Sequence, residues 1–234
     1  MQVSAVIAAG GSGTRLGEAV PKQFLDLNGK PIIAWSLEAF SNATEIGELI
    51  IVAPLDHLET VKKYAKEYCI KKPYKVVHGG ATRHESVKNG LQASSNDIKW
   101  VAVHDAARPF VTADEIDSIC LLARELGAAI MAKKVIDTIK EVEEDIVIRT
   151  IDRNRLVCAL TPQVCKKKDL FQAYEKAEKE GLIATDESSL LEYIGVNVAV
   201  QIGSSLNFKI TTKEDLIIAR AVARFLGDKT ANGF

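Results

Sequence analysis

Val3-Ser4-Ala5-Val6-Ile7-Ala8-Ala9-Gly10-Gly11-Ser12-Gly13-Thr14-Arg15-Leu16-Gly17 stands at the head of the chain and decides its architecture. The apolar run 3–8 reads as a buried strand, and the glycines behind it read as a loop. The same alternation recurs outward. Residues 49–53, 75–78, 100–104 and 128–135 read as strands. Residues 33–40 (opened by Pro31), 58–68, 85–93 and 113–126 read as helices, the last capped by Thr112 with Glu115 placed for a capping box. Short apolar strands alternating with helices predict an α/β, Rossmann-like fold with a mostly parallel sheet flanked by helices. In such sheets ligands bind beyond the carboxyl ends of the strands. Three segments converge there: 9–22, 79–86 and 105–110.

The alternation breaks after Asp137. Residues 138–142 and 146–151 flank the acidic turn Glu143-Glu144-Asp145 and read as a hairpin, either a surface excursion or an arm that pairs with a second subunit. Helices over 167–180 and 186–195, strands near 199–202 and 208–210, and a closing helix over 213–226 complete the chain. No repeat, low-complexity tract or linker divides it, so residues 1–234 read as one domain with a protruding β-arm at about 137–154.

Composition excludes several classes. Thirty Lys and Arg against 31 Asp and Glu give a net charge of −1, without the basic excess expected of a phosphate-tracking nucleic-acid binder. At 47% hydrophobic and 26% charged residues the composition is globular. No apolar run approaches the ~20 residues of a membrane span, and residues 1–9 lack the basic leader of a signal peptide. Cys69, Cys120, Cys158 and Cys165 show no C-x-x-C pair, which suits reduced thiols in a cytoplasmic protein.

The glycine loop is neither of two common nucleotide loops. It lacks the Gly-Lys-Ser/Thr of a Walker A motif. Counted from Gly11, the third glycine of a dinucleotide fingerprint falls on Leu16, and no acidic ribose-binding residue follows at the expected distance. That excludes an NAD-dependent oxidoreductase. What remains is a loop carrying its own cations, Arg15 and then Lys22 in Pro21-Lys22-Gln23, behind glycines such as Gly11 and Gly13 that let backbone N–H groups approach phosphate. A guanidinium and an ammonium together suit a polyphosphate. Either alone reads more readily as a solvated loop residue.

With Pro21-Lys22-Gln23-Phe24-Leu25, the loop resembles the signature of nucleotidyltransferases that activate small phosphates. More specifically, the chain resembles the 2-C-methyl-D-erythritol 4-phosphate cytidylyltransferases of non-mevalonate isoprenoid synthesis. The likeness continues in order through Gly79-Gly80-Ala81-Thr82-Arg83-His84-Glu85-Ser86-Val87, Val103-His104-Asp105-Ala106-Ala107-Arg108-Pro109-Phe110 and Asp137-Thr138-Ile139-Lys140. It runs on through Thr150-Ile151-Asp152-Arg153-Asn154, Leu160-Thr161-Pro162-Gln163, Thr185-Asp186-Glu187 and Asn207-Phe208-Lys209-Ile210-Thr211. It departs at Lys133-Lys134-Val135, where the family usually carries a small or apolar residue and a proline.

The resemblance implies a fold of the nucleotide-diphospho-sugar transferase type. The implied reaction transfers CMP from CTP to 2-C-methyl-D-erythritol 4-phosphate with release of pyrophosphate and with Mg²⁺ as cofactor. Arg15 and Lys22 would grip the CTP phosphates, and Lys209 would position the attacking phosphate. Arg153 and Thr138, at the feet of a dimerisation arm, would reach the methylerythritol phosphate of the other subunit, making the protein a homodimer. Gly80, Arg83 and Ser86 would line the cytidine pocket, with Ala8, Ala9 and Gly10 meeting the base through their backbone. Asp105, beside Ala106, can bind Mg²⁺ or a ribose hydroxyl, or simply bond local backbone N–H groups. Arg108 can pair with Asp105 or reach phosphate.

Other residues read as structural. His104 is expected to be packed, and His57, His78 and His84 lack metal spacing. Asp186-Glu187 open a helix, where acids suit the positive end of the dipole, and Lys166-Lys167-Lys168 read as a solvated helix start. Two alternatives stand beside the main reading: a ribitol 5-phosphate cytidylyltransferase and a non-catalytic nucleotide-binding regulator. The family of the first tends to show His-Asp-Ser-Val-Arg-Pro at 104–109 and lacks the Thr-Asp-Glu-x-Ser of 185–189. Retention of Arg15, Lys22, Arg153 and Lys209 together argues against the second.

Overall fold

The computed structural model describes residues 2–10, 20–69 and 71–231, the side chains of 228–231 excepted. In chain order run β1 (Val3–Ala8), the short β2 (Asp26–Leu27) and β3 (Lys30–Pro31), α1 (Ile32–Asn42), β4 (Ile46–Ala53), α2 (Leu58–Tyr68), β5 (Tyr74–His78) and α3 (Arg83–Ala93). There follow β6 (Trp100–Asp105), α4 (Ala113–Leu126), β7 (Ala128–Lys134), β8 (Ile139–Glu143), β9 (Ile146–Ile151), β10 (Val157–Lys166), α5 (Lys167–Glu180), α6 (Glu187–Tyr193), β11 (Ala199–Ile202) and α7 (Lys213–Ala231). The main sheet has seven strands in the order β11-β7-β10-β6-β1-β4-β5. All its pairs are parallel except those of β10, which runs antiparallel between β6 and β7.

β1 lies between β4 and β6, and its sequence shows no polar alternation because both faces are covered. Val3, Ala5 and Ile7 join Leu49 and Ile51 beneath α1, α2 and α4. Val6, Ile50, Val52, Val101 and Val103 face the opposite way, under α3, α5 and α6. That split is the period-two alternation of strand side chains applied to two cores. The polar exceptions satisfy each other: buried Ser4 donates its hydroxyl to Glu48 Oε1 at 2.6 Å. A third apolar cluster sets Leu27, Ile32, Phe110 and Ile210 against Leu216, Ala219 and Ala223 of α7. It ties the segments after β6 and before α7 to one another, and both carry site residues.

Several elements depart from the sequence reading. No strand forms over 208–210. That segment makes one backbone bond to the post-β6 loop, Ile210 N–H to the Ala107 carbonyl at 2.9 Å, and is held further by packing and by the side chains of Lys22 and Lys209. Phe208 and Ile210 nonetheless face the apolar cluster while Lys209 points away to Asp105. β10 was not legible, because Pro162 and scattered polar residues mask a strand whose two neighbours supply its pairing. Pro31 is the cap of α1 rather than a residue of its first turn. α7 runs on past residue 226. Lys167 is not simply solvated: its ammonium donates to the Ser94 and Ser95 carbonyls at 3.2 and 3.1 Å. The capping box at Thr112 forms as read. So does the hairpin, whose turn residues Glu144 and Asp145 adopt φ of 46° and 65°.

α3 approaches the sheet closely through Gly90. A Cβ there would lie 2.5 Å from Val6 Cγ1 and 2.8 Å from Val52 Cγ2. Overpacking against two branched side chains costs about 1–3 kcal/mol, which outweighs the ~1 kcal/mol that alanine gains over glycine within a helix. Gly90→Ala is therefore expected to lower the denaturation midpoint in urea. An unchanged or raised midpoint would mean that α3 lifts off the sheet without cost.

Candidate active site

β1 and β6 end level with each other. Ala8 pairs with Asp105 across the ladder, and the Ala106 amide donates to the Ala8 carbonyl at 3.1 Å. Asp105 is thus the last residue of a central strand, and its carboxylate is 7% exposed with the rest of the residue. An unpaired carboxylate in such a place would be costly. Three cations meet it. Arg83 Nε donates to Oδ1 at 3.1 Å, while Lys209 Nζ lies 2.9 Å and Arg108 Nε 3.5 Å from Oδ2. Burial alone would raise the Asp105 pKa. The charges of Arg83, Lys209 and Arg108 outweigh burial and hold the carboxyl well below the usual range.

Each cation comes from a different element. Arg83 opens α3, whose first turn is capped by Thr82 accepting from the Glu85 amide. Arg108 sits in the turn after β6. Its Nη1 donates to the Asn207 carbonyl at 3.1 Å, and burial pulls its pKa down against the pull of Asp105. Lys209 follows Asn207, which is fully buried and donates its side-chain amide to the Thr161 carbonyl at 2.9 Å. Lys22 reaches the same segment, donating to the Ile210 carbonyl at 2.8 Å. The cation of Pro21-Lys22-Gln23 and Lys209 therefore converge although 187 positions separate them in the chain. Gln23 latches the loop to β1 by donating to the Ala9 carbonyl at 2.7 Å.

Arg83 is held from behind by a residue that sequence reasoning set aside. Glu187 is 1% exposed and accepts from Arg83 Nη1 at 2.7 Å and Nη2 at 2.9 Å. Tyr174 of α5 donates to the same carboxylate at 3.3 Å. Burial works against the Arg83 charge, but Glu187 and then Asp105 hold its pKa above the ordinary value. Asp186 does cap α6, as its position suggested. Glu187 instead turns inward to an ion pair, and only the approach of α3 to α6 makes that visible. Two cations from the sequence side, Arg83 and Lys209, and two carboxylates, Asp105 and Glu187, thus form one connected chain.

On the glycine side Ser86 is packed among glycines. A Cβ on Gly79 would sit 2.7 Å from its hydroxyl oxygen and one on Gly10 3.1 Å away. The Ser86 hydroxyl accepts from the Gly80 amide at 3.1 Å and donates to the Thr82 carbonyl at 2.8 Å. The backbone of Ala9 is spoken for, its amide donating to the Val52 carbonyl. The structure therefore brings together Lys22, Arg83, Asp105, Ala106, Arg108 and Lys209, with Ala8, Ala9, Gly10 and Gly80 at the adjoining strand ends and Ser86 near the start of α3. Gly11, Gly13 and Arg15 lie outside the described residues. Thr138 and Arg153 stand at the feet of the β8–β9 hairpin, a separate two-stranded sheet, with Arg153 donating to the Ile136 carbonyl. Neither joins the Asp105 chain of contacts.

As a metal site the cluster is incomplete. Among the described residues no group of three His, Cys, Asp or Glu side chains could hold an ion. Asp105 offers one carboxylate. Mg²⁺ commonly takes just one or two protein carboxylates, with substrate phosphates and water completing the shell. The residues fit that shared arrangement through Asp105 alone.

His104 is packed, as expected, and fully buried. Its Nε2 faces the Arg108 carbonyl at 3.2 Å, which can only accept, so Nε2 carries the proton and Nδ1 accepts from the Thr161 hydroxyl at 3.0 Å. Thr161 in turn accepts from the Asp105 amide at 3.1 Å, where the β10–β7 pairing is irregular. Burial lowers the His104 pKa to about 4. Between that value and the ordinary 6.5 the unfolded chain binds a proton that the folded chain does not, so stability falls as pH falls through this window, by about 3 kcal/mol in all. Urea denaturation from pH 7 to 4 should show this slope, and His104→Gln should reduce it to the part left by His84, whose pKa burial also lowers. The contribution of Asp105 is lost only below about pH 4. A slope identical in the variant would remove His104 as its cause.

Most of the chain is similar to known proteins. A family model described as IspD, 2-C-methyl-D-erythritol 4-phosphate cytidylyltransferase, matches residues 3–224. A protein of that name from Halalkalibacterium halodurans is 44% identical over 222 residues, covering 95% of this chain and 97% of its own. One from Alkaliphilus metalliredigens is 40% identical, covering 94% and 92%. Among solved structures, 4-diphosphocytidyl-2C-methyl-D-erythritol synthase from Anaerococcus prevotii superposes with a TM-score of 0.85 at 31% identity, covering 95% of this chain and 98% of that one. The 2-C-methyl-D-erythritol 4-phosphate cytidylyltransferase from Thermus thermophilus does so at 0.78 and 32%, covering 96% and 100%. With a cluster of cations around Asp105 at the ends of β1 and β6 and a family match over residues 3–224, the chain belongs to the 2-C-methyl-D-erythritol 4-phosphate cytidylyltransferase family.

Proposed function

We propose that the cleft around Asp105 is where this chain transfers CMP from CTP to 2-C-methyl-D-erythritol 4-phosphate, an enzymatic step toward isoprenoid precursors. The observation that carries the assignment is the convergence of Lys22, Arg83, Arg108 and Lys209 at the carboxyl ends of the central strands, in a protein whose net charge is −1. A phosphate oxygen of the acceptor forms a bond to the α-phosphorus of CTP. The bond from that phosphorus to the bridging oxygen breaks, and the electron pair leaves with pyrophosphate. The nucleophile is already an anion, so no strong base is needed. What the reaction needs is two polyanions held in line and their charge offset.

The roles follow the positions of the described residues and, for Gly11, Gly13 and Arg15, the family likeness alone. Lys22 and Arg15 hold the triphosphate and stabilise charge at the α-phosphate and on the departing pyrophosphate. Gly11 and Gly13 cradle the same phosphates. Lys209 exchanges Asp105 for the attacking phosphate, and Arg108 adds charge beside it. Ala8, Ala9, Gly10, Gly80 and Ser86 border the cytidine pocket. Asp105, with Ala106 beside it, would hold Mg²⁺ jointly with the triphosphate, and the ion would offset phosphate charge. The protein acts in the cytoplasm as one domain, and no helix of its described residues is long and apolar enough to cross a membrane.

A homodimer through the arm belongs to this reading. Val142, Ile146, Val147 and Ile148 are each more than half exposed on a hairpin that leaves the main sheet, which suits a surface covered by a second copy. Arg153 and Thr138 at its feet would then act on the acceptor in the partner's cleft.

Pyrophosphate release with CTP and Mg²⁺ tests the activity. Methylerythritol 4-phosphate should support turnover and ribitol 5-phosphate should not. Turnover with ribitol phosphate alone would keep the chemistry and change the pathway. Silence with both would leave a nucleotide-binding protein. Lys22→Ala and Lys209→Ala should each lose roughly 100- to 1,000-fold in kcat, and near-normal turnover in either would remove its role. Mixing Arg15→Ala with Arg153→Ala protein after dissociation and reassociation should restore part of the activity. No recovery, with subunit exchange verified, would refute the shared site.

A further inference from the structure

Arg83 has five N–H donors, and the fold commits three of them. Nε goes to Asp105 Oδ1, while Nη1 and Nη2 lie in parallel on Glu187. A two-pronged donor of this kind is the part of arginine best matched to phosphate. In this protein that prong is turned toward α6 and spent on the buried carboxylate of Glu187. Arg83 is therefore poorly placed to grip a triphosphate. It is well placed as a strut that fixes one oxygen of Asp105 and leaves the other, Oδ2, facing Lys209 at 2.9 Å.

Glu187 is itself fixed from two sides. Tyr174 donates to its Oε1 from α5. From β10, Gln163 accepts from the Ser188 amide at 2.8 Å and donates to Asp186 at 2.8 Å, tying down the start of α6. The Asp186–Ser189 capping box closes the same turn. A carboxylate so enclosed holds its partner in one geometry. Without it, Arg83 would carry an unpaired fork beside Asp105.

We infer that Glu187, with Tyr174 behind it, is a positioning residue. It clamps the Arg83 fork so that Arg83 supports Asp105 instead of binding CTP, and it thereby keeps Lys209 as the cation free to exchange onto phosphate. The inference rests on the catalytic reading above and goes beyond it in moving Arg83 from the cytidine pocket to the protein's own framework, with Glu187 as its clamp.

The test is a cycle of Glu187→Gln, Arg83→Lys and the double variant, with kcat and the KM for CTP measured at saturating methylerythritol 4-phosphate. Glu187→Gln should lower kcat by about tenfold or more, the range seen when a buried partner that orients a site residue is removed. The KM for CTP should stay level or fall, because the released fork can now bind triphosphate in the ground state. The double variant should be no slower than Arg83→Lys alone, since Glu187 acts through Arg83. Tyr174→Phe keeps the ion pair and should shift kcat in the same direction by less, which serves if Glu187→Gln does not fold. A raised KM at unchanged kcat, multiplicative losses in the double variant, or normal kinetics in well-folded variants would each overturn the inference. An inactive wild-type protein would instead overturn the catalytic reading itself.

Discussion

One buried carboxylate organises the functional end of this molecule. Asp105 ends a central strand with its backbone locked into the sheet and its side chain removed from water. A negative charge there is sustained only by cations brought to it, and a removed partner would leave a desolvated charge behind. The chain supplies those cations from α3, from the turn after β6 and from the segment before α7. Much of the surrounding architecture follows from that demand. Asn207 anchors the Lys209 segment to Thr161, Thr161 caps the Asp105 amide, and His104 stays neutral between Thr161 and the Arg108 carbonyl. The third apolar cluster presses Phe110 and Ile210 together, so that the Arg108 turn and Lys209 meet the same oxygen.

Within this network two kinds of contact differ in kind. Arg83 is held at both ends by carboxylates, and Arg108 is largely enclosed. Lys209 is more than one-third exposed and carries one ammonium on a flexible stem. An ammonium can leave one oxygen for another with little rearrangement, whereas a bidentate guanidinium pair cannot. A site that must accept a triphosphate and a second phosphate benefits from having both a rigid frame and a cation that can be handed over.

The balance of charge suits the same purpose. Three cations against two carboxylates leave the Arg83–Arg108–Lys209 cluster with one positive charge, and Lys22 adds another beside it. The overall charge of −1 conceals this concentration. A cleft of local positive charge between low-dielectric walls attracts small polyanions without making the whole surface adhesive to nucleic acid.

Strand and helix order were readable along the chain because both faces of β1, β4 and β6 are buried, so apolar runs mark them, and because caps such as Thr112 and turns such as Glu144-Asp145 signal their own geometry. The motif blocks carrying Lys22, Asp105, Arg108 and Lys209 were readable because they follow, in order, the blocks of the family that the chain resembles. β10 was not readable, since its strand character comes from β6 and β7 on either side rather than from its own residues. Glu187 was not readable either. In sequence it is an acid at a helix start, and helix starts favour acids for local reasons. Its pairing with Arg83 joins positions 104 apart, and no local rule reports such a distance. The residues alone thus marked the candidate groups for the proposed chemistry. The tertiary structure alone decided which cation is fixed and which is free, because burial and pairing belong to elements that meet only when the chain is folded.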